Sequence, residues 1–334
     1  MRIQVIGAGG WGLALARHLA VNGHEVSLWC REEDGPDALR ATRENPALLP
    51  GVLLPPSVEV TGEVDRNVEI VVLAVPSHAM RAVAARYPLP HNTIRVSVAK
   101  GIENETLLRM SEVITVCQAA TNCGLVSGPC PIVALSGPSH AEEVGRGLPA
   151  SIVAASADED AAAVVRDAFM SSTLRVYTCP DIIGVELGGS LKNVVAIAAG
   201  VCDGLGLGDN AKAALVTRGL AEMARLGVAM GADPLTFAGL SGLGDLVVTC
   251  MSRHSRNRAV GERIARGERL DQIIGGSKMV AEGIRTSRSA HELALRHEVD
   301  MPITHEVFRV LFEGADPRAA VTALMTRQAK PEQG

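Results

Sequence analysis

Aromatic side chains are scarce: two Trp, two Tyr and four Phe among 334 residues. A core this poor in rings must be filled by Ala, Val, Leu and Ile. Single-stranded nucleic-acid platforms, which stack bases on aromatic faces, have little to build on, and neither do aromatic-anchored protein hot spots. Positive charge is not in excess either, because 32 Lys and Arg against 37 Asp and Glu leave a net charge of −5. No global basic field draws a phosphate backbone or an anionic membrane. Neither a nucleic-acid partner nor stable membrane insertion is therefore expected, and an anionic ligand has to be held locally. Paired cysteines are missing as well: the seven, at positions 30, 117, 123, 130, 179, 202 and 250, form no C-x-x-C. An odd, scattered set reads as reduced thiols. The chain starts Met1-Arg2-Ile3-Gln4-Val5-Ile6-Gly7, without the charged leader, apolar stretch and cleavage site of a signal peptide. No apolar run approaches the roughly 18 to 20 residues of a membrane span, and the best, Ile70 to Val75, is of strand length. A cytoplasmic location is expected.

What is present is a change of texture halfway along. Short β-branched runs (Ile3 to Ile6, Glu25 to Trp29, Glu69 to Val75, Thr93 to Val98, Val133 to Ser136, Ile152 to Ala155, Leu174 to Tyr177) alternate with helical stretches. Several are apolar nearly throughout, as strands covered on both faces must be. Beyond about residue 180 the sequence turns to Ala, Leu and Gly, with Val216, Leu220, Met223, Gly227 and Met230 at helical spacing. The pattern predicts an α/β fold: an N-terminal, doubly wound Rossmann-type sheet over 1–180 and an all-α domain over 181–334, divided near Cys179-Pro180. The apolar helical half makes a homodimer the expected assembly.

Gly7-Ala8-Gly9-Gly10-Trp11-Gly12 matches G-x-G-x-x-G directly after the first strand and runs into a good helix. Gly7 suits the tight turn, Gly9 close approach of backbone to a pyrophosphate, and Gly12 close helix–strand packing. The helix N-terminus supplies free N–H groups and a positive dipole. The second strand ends in Arg31-Glu32-Glu33. Glu32 could hold a ribose 2′-hydroxyl and Arg31 a 2′-phosphate; because the first charge past the strand is cationic, NADP is the expected cofactor with NAD accepted. Lys100 lies beyond the C-terminal end of a strand, where open α/β sheets bind ligands. Lys192 and Asn193 sit in an otherwise apolar helix, where a lysine must snorkel or be paired.

Taken together, GAGGWG, VAKGIE, LSGPSHAEEV, LGGSLKNVVAIAAGVCDGLGLGDNAKAAL, GLSGLGDLVVTC, HSRNRAVG and VAEG resemble the NAD(P)-dependent glycerol-3-phosphate dehydrogenases of bacteria, from Gly7 to beyond Glu282. The resemblance implies reversible reduction of dihydroxyacetone phosphate to sn-glycerol 3-phosphate, which feeds glycerophospholipid synthesis. It makes Lys192 the proton donor and acceptor and gives Gly10, Trp11, Arg31, Ala141, Arg256, Val280 and Glu282 to the cofactor. Lys100, Gly137, Ser139, Asp245, Ser255, Arg256 and Asn257 would join Lys192 in holding the substrate, with Lys100 shared. That assignment makes chemical sense. Hydride attack on a ketone leaves an alkoxide, which Lys192 can stabilise and protonate; Lys100 would favour its neutral form and Asp245 its charged form. Arg256 and Asn257, behind a Ser255 able to cap a helix, would supply a fork and a dipole for phosphate. Two positions depart from the common pattern: Gly10, where relatives often carry Ser, and His140, often small or apolar, read here as loop filler.

Other chemistries fare less well. His291-Glu292 would need a histidine at 295 for a zinc motif, and that residue is Leu295. Cys202 and Cys250 are candidate nucleophiles by position but read better as buried structural thiols. A β-hydroxyacid dehydrogenase of the phosphogluconate type shares the plan and a Lys-Asn pair, yet would take a carboxylate substrate. A non-catalytic redox sensor would need an output surface that the sequence lacks.

Overall fold

Alternation within single strands shows how the sheet is covered. In the computed structural model, which describes residues 1–86, 92–121, 130–275, 281–329 and 331–332, the sheet strands are β1 (Arg2–Ile6), β2 (Glu25–Trp29), β3 (Glu59–Thr61), β4 (Ile70–Leu73), β5 (Ile94–Ser97), β6 (Ile132–Ser136), β7 (Ala150–Ala155) and β8 (Leu174–Cys179). Ile70 and Val72 of β4 point into one apolar cluster while Val71 and Leu73 point into another on the opposite face. Helices on both faces remove water from both sides, so no polar residue is needed in that strand. The helices between them are α1 (Gly10–Val21), α2 (Pro36–Thr42), α3 (Met80–Arg86), α4 (Met110–Thr121), α5 (Ala141–Val144) and α6 (Glu159–Phe169).

The strand order is β3-β2-β1-β4-β5-β6-β7-β8. The chain winds outward from β1 and then returns to β4, and a crevice opens at that reversal above the carboxyl ends of β1 and β4. All neighbours are parallel except β6 and β7, which pair antiparallel through Ala134↔Ala155, Leu135↔Ala154 and Ser136↔Val153. The three-residue edge strand β3 is absent from the sequence reading because its apolar alternation is too short to register.

The second half is built around one helix. After β8 come α7 (Ile182–Leu205), α8 (Gly208–Ala229), α9 (Pro234–Ala238), a wide π turn over Leu240–Gly244, α10 (Asp245–Met251), α11 (Arg256–Ala265), α12 (Leu270–Gly275), α13 (Glu282–Arg296), α14 (Pro302–Phe312) and α15 (Pro317–Met325). By length and composition α7 could cross a membrane, although no uninterrupted apolar run is present; most of it is buried as the axis of the helical core. Its near approach to α11 depends on missing side chains. A Cβ at Gly200 would lie 1.9 Å from the Arg258 carbonyl oxygen, and one at Gly261 1.9 Å from that of Ile197. This contact carries Ser255, Arg256 and Asn257 up to the cleft between the halves.

Ties across the cleft are polar and specific. Glu186 of α7 is buried and accepts from the Ser111 amide at 2.8 Å, the Ser111 hydroxyl at 2.6 Å and Arg109 Nη1 at 2.7 Å. These bonds cap the start of α4 from the other domain. Within the helical half, Glu222 of α8 is likewise buried, accepting from the Ile303 and Thr304 amides at the start of α14, and burial pushes its pKa up to about 7.

Candidate active site between the two halves

The glycine loop has the geometry its sequence calls for. Gly7 adopts φ +115°, and a Cβ there would meet the Ala74 carbonyl oxygen at 2.4 Å, so the turn between β1 and α1 and the approach to the end of β4 both require glycine. A Cβ on Gly12 would lie 1.9 Å from the Gly7 carbonyl oxygen, whereas one on Gly9 would touch none of the described residues within 4 Å. The crowded faces of the loop are turned to protein and the open one to the crevice, as a bound pyrophosphate needs. The first amides of α1 precede its earliest intrahelical bond, Leu13 N–H to Gly9 carbonyl, and stay free for an anion. The loop therefore fits a dinucleotide.

Around it, Ala141 begins α5 with its Cβ 3.9 Å from the position a Gly10 Cβ would take, and the Leu48 carbonyl oxygen lies 2.8 Å from that position. Any side chain at position 10 would thus press on the Leu48 carbonyl. Trp11 is half-buried and packs on the sheet core. Arg31 binds Asp34 through Nε at 2.9 Å and Nη2 at 2.8 Å, with its side chain 58% exposed. Glu282, at the start of α13, accepts from the Ser77 amide at 3.0 Å and the Ser77 hydroxyl at 2.5 Å. It pins the helical half to the loop after β4. Val280 lies outside the described residues.

Across the crevice sits a buried cluster of charge. Lys192, from the middle of α7, donates from Nζ to Asp245 Oδ1 at 2.7 Å and to Thr249 Oγ1 at 2.6 Å. Lys100, beyond β5, donates to Asp245 Oδ2 at 2.6 Å and to the Gly137 carbonyl at 3.0 Å. Lys192 is 5% exposed and Asp245 2%, so the lysine does not snorkel; it is paired. Burial drives its pKa down to about 8: Asp245 opposes the shift and Lys100 adds to it. Burial works against ionisation of Asp245 too, but the two ammonium groups outweigh it and hold the carboxyl below its usual range. The outcome is a lysine that changes charge near neutral pH at the end of a cleft.

Thr249 is the residue that sequence reasoning missed. It lies one helical turn after Asp245, donates back to the Asp245 carbonyl at 2.6 Å and accepts a hydrogen bond from Lys192. The i, i+4 spacing in Asp245-Leu246-Val247-Val248-Thr249 was the available signal. Gly137 adopts φ +141° against Ile152, and its carbonyl accepts from Lys100 and from the Ser139 hydroxyl at 3.0 Å.

Ser255 caps α11, its Oγ accepting from the Arg258 amide at 3.2 Å. Arg256 is exposed and makes no hydrogen bond or ion pair with the described residues. Asn257 differs from expectation: its amide nitrogen donates to Asn193 Oδ1 at 2.9 Å and its oxygen accepts from the Gly283 amide at 2.9 Å. The side chain is thus spent tying α7, α11 and α13 together, leaving its main-chain N–H in the first turn of α11 for an anion. Cys250 is buried and pushed up to about 12 by burial, and burial raises Cys202 as well; neither thiol is set up as a nucleophile. His291, the head of the incomplete zinc motif, stacks on Phe308 at 4.2 Å.

A dinucleotide loop and a buried lysine with its pKa lowered to about 8 place the chain in the class of two-domain NAD(P)-dependent oxidoreductases that act on a CH–OH group. Residues 2–162 match the family model for the NAD-dependent glycerol-3-phosphate dehydrogenase N-terminus, and residues 181–322 that for the C-terminus. The glycerol-3-phosphate dehydrogenase [NAD(P)+] of Pelotomaculum thermopropionicum is 52% identical over 331 residues, covering 98% of this chain and 93% of its own. That of Desulfitobacterium hafniense is 51% identical over 335 residues, 99% and 93% respectively. The crystal structure of glycerol-3-phosphate dehydrogenase from Coxiella burnetii superposes with a TM-score of 0.90 at 37% identity, over 98% of this chain and 99% of that one. The chain belongs to the NAD-dependent glycerol-3-phosphate dehydrogenase family.

Proposed function

We propose that this chain interconverts dihydroxyacetone phosphate and sn-glycerol 3-phosphate with NAD(P)H, Lys192 giving and taking the proton. The sheet domain (1–180) would hold the dinucleotide and the helical domain (181–334) the catalytic lysine. The observation that carries the reading is the buried Lys192–Asp245–Lys100 cluster opposite the glycine loop. The bound nicotinamide supplies the hydride in reduction and receives it in oxidation. As the ketone oxygen gains negative charge, the Lys192 ammonium stabilises it and delivers one proton, so ketone, hydride and proton give the alcohol; in reverse the neutral amine removes that proton. Asp245 and Thr249 orient the Lys192 ammonium. Gly137 and Ser139 support the position of Lys100, which serves substrate and cofactor and lowers the proton affinity of Lys192.

Gly7, Gly9, Gly10, Trp11, Gly12, Ala141 and Glu282 form the dinucleotide side in this reading. Ser255, the exposed Arg256 guanidinium and the first amides of α11 form the phosphate side. Following NADPH and NADH oxidation with dihydroxyacetone phosphate tests the whole assignment. The Arg256→Ala enzyme should show a raised substrate KM, by about tenfold or more as for loss of a hydrogen bond to a charged group, and should no longer discriminate against unphosphorylated dihydroxyacetone. Unchanged discrimination moves the phosphate site elsewhere.

For the nucleotide, NADP is preferred and NAD accepted. Arg31 supports this: it is the first cation past β2, and an ion pair as exposed as that with Asp34 yields readily to a 2′-phosphate. Arg31→Ala should lower kcat/KM for NADPH by about tenfold, again the worth of a charged hydrogen bond, and leave NADH nearly untouched. A native preference for NAD by orders of magnitude, insensitive to Arg31→Ala, overturns it. We place the reaction in the cytoplasm, supplying the polyol phosphate on which acyl transfer builds glycerophospholipid. A homodimer is supported by Leu243, Val247 and Met251, exposed on one side of the π turn and α10.

A further inference from the structure

One buried polar group near the cleft has no use in the chemistry above. His140, which precedes α5, has its Nε2 sealed from solvent and without a hydrogen-bond partner among the described residues. Buried polar atoms in that condition are costly, and native structures keep few of them. A ring that merely filled the loop would have no reason to carry a nitrogen there, since phenylalanine fills the same space without an orphaned polar atom.

The surroundings of the ring indicate what it serves. On its own side of the cleft it directly follows Ser139 in the loop whose Gly137 carbonyl receives Lys100. From the helical side its ring centroid is 5.8 Å from that of His254, tilted by 55°, and His254 immediately precedes the Ser255 cap and Arg256. Burial chiefly, and then the Lys192 ammonium, oppose its protonation; Glu142 and Glu143 favour it and Lys100 opposes it. The ring therefore lies beside His254, just ahead of α11, and feels the charge of both Lys192 and Lys100, surroundings that welcome an anion able to accept a hydrogen bond.

We propose that His140 is a substrate-phosphate contact, its Nε2–H donating to a phosphate oxygen from the sheet domain while Arg256 and the α11 amides bind from the helical domain. The proposal rests on the reading of the cleft as a site for a phosphorylated substrate. A neutral imidazole carries its proton on one nitrogen only, and a phosphate accepting from Nε2 selects that tautomer. Contact from both domains makes phosphate binding dependent on a closed cleft.

The test uses the full chain and two variants, His140→Phe and His140→Gln. Phe keeps the ring shape without a donor, and Gln restores an N–H of similar reach. His140→Phe should raise KM for dihydroxyacetone phosphate about ten- to a hundredfold, the ordinary worth of a hydrogen bond to a charged group, with a much smaller change in kcat. It should also narrow the preference over dihydroxyacetone by the same factor, and His140→Gln should recover most of both. An unchanged KM in His140→Phe overturns the proposal. So does a rise confined to the KM for NADPH, which would assign the nitrogen to the nucleotide, or an equal loss in kcat and Tm without a KM effect, which would make the residue structural. Calorimetric titration with inorganic phosphate separates this idea from the proposed function. If the parent chain does not turn over dihydroxyacetone phosphate yet binds phosphate through His140, the substrate assignment fails and the contact stands. Equal phosphate affinity in parent and His140→Phe removes the contact.

Discussion

Lys192→Ala is expected to lower kcat by about 10² to 10⁴ in both directions, the usual worth of a positioned acid–base group. The native enzyme should show the corresponding pH limbs. Lys192 titrates at about 8, so reduction, which needs the ammonium, should fall as pH rises through that value. Oxidation, which needs the amine, should rise through it. Steady-state kcat/KM against pH in both directions, which reports groups of the free enzyme, checks both, and the two limbs should vanish together in the alanine variant. A kcat that survives the substitution removes Lys192 from the chemistry. Because Asp245 keeps its bond to Lys100 in that variant, the fold has a remaining partner for the buried carboxylate, and a loss of activity with an intact melting transition is interpretable.

Asp245→Asn is expected to act more broadly. In the native protein one carboxylate, 2% exposed, neutralises two ammonium groups. Removing its charge leaves Lys100 and Lys192 facing each other across a neutral amide in a dry cleft. Breaking a buried pair in this way costs about 3 to 5 kcal/mol, so the melting temperature should drop. Asp245 also raises the pKa of Lys192 against burial, so its loss shifts that pKa below 8. The reductive limb should therefore move to lower pH, and activity near neutrality should fall in reduction more than in oxidation. If the limb stays near 8 or moves up, Asp245 does not control the charge of Lys192, whatever happens to stability. These two substitutions differ in a diagnostic way: one abolishes the limb and the other displaces it.

The glycine loop was legible because every requirement on it is local. Gly7, Gly9 and Gly12 fall within six consecutive residues after a strand, and turn, approach and packing can be reasoned from chain geometry alone. The alternation of strand and helix was legible for the same reason, except where the signal is short: β3 is three residues long. The antiparallel turn of β7 was not legible, since direction depends on where the chain re-enters the sheet. Lys192 shows the limit more sharply. In sequence it is a lone cation among Val and Ala, compatible with snorkelling or pairing. Its partner Asp245 is 53 residues away, and the second lysine on that carboxylate is 145 residues from it. Asn257 shows another limit: the sequence suggested a residue for phosphate and carried no sign that its side chain ties three helices together.

By itself the sequence determined the class of protein: a dinucleotide loop at the start of a parallel sheet, a helical second half and a small-residue composition suited to close backbone approach. Only the tertiary structure decided how the charges stand. Glycines on α7 and α11 let those helices meet, the meeting sets α11 at the cleft, and α7 and α10 bring Lys192 and Asp245 into a space from which water is excluded. The pKa of a lysine depends on burial and on charges a few ångströms away. Those distances are properties of packing between distant segments, so only the fold brings this lysine near neutrality.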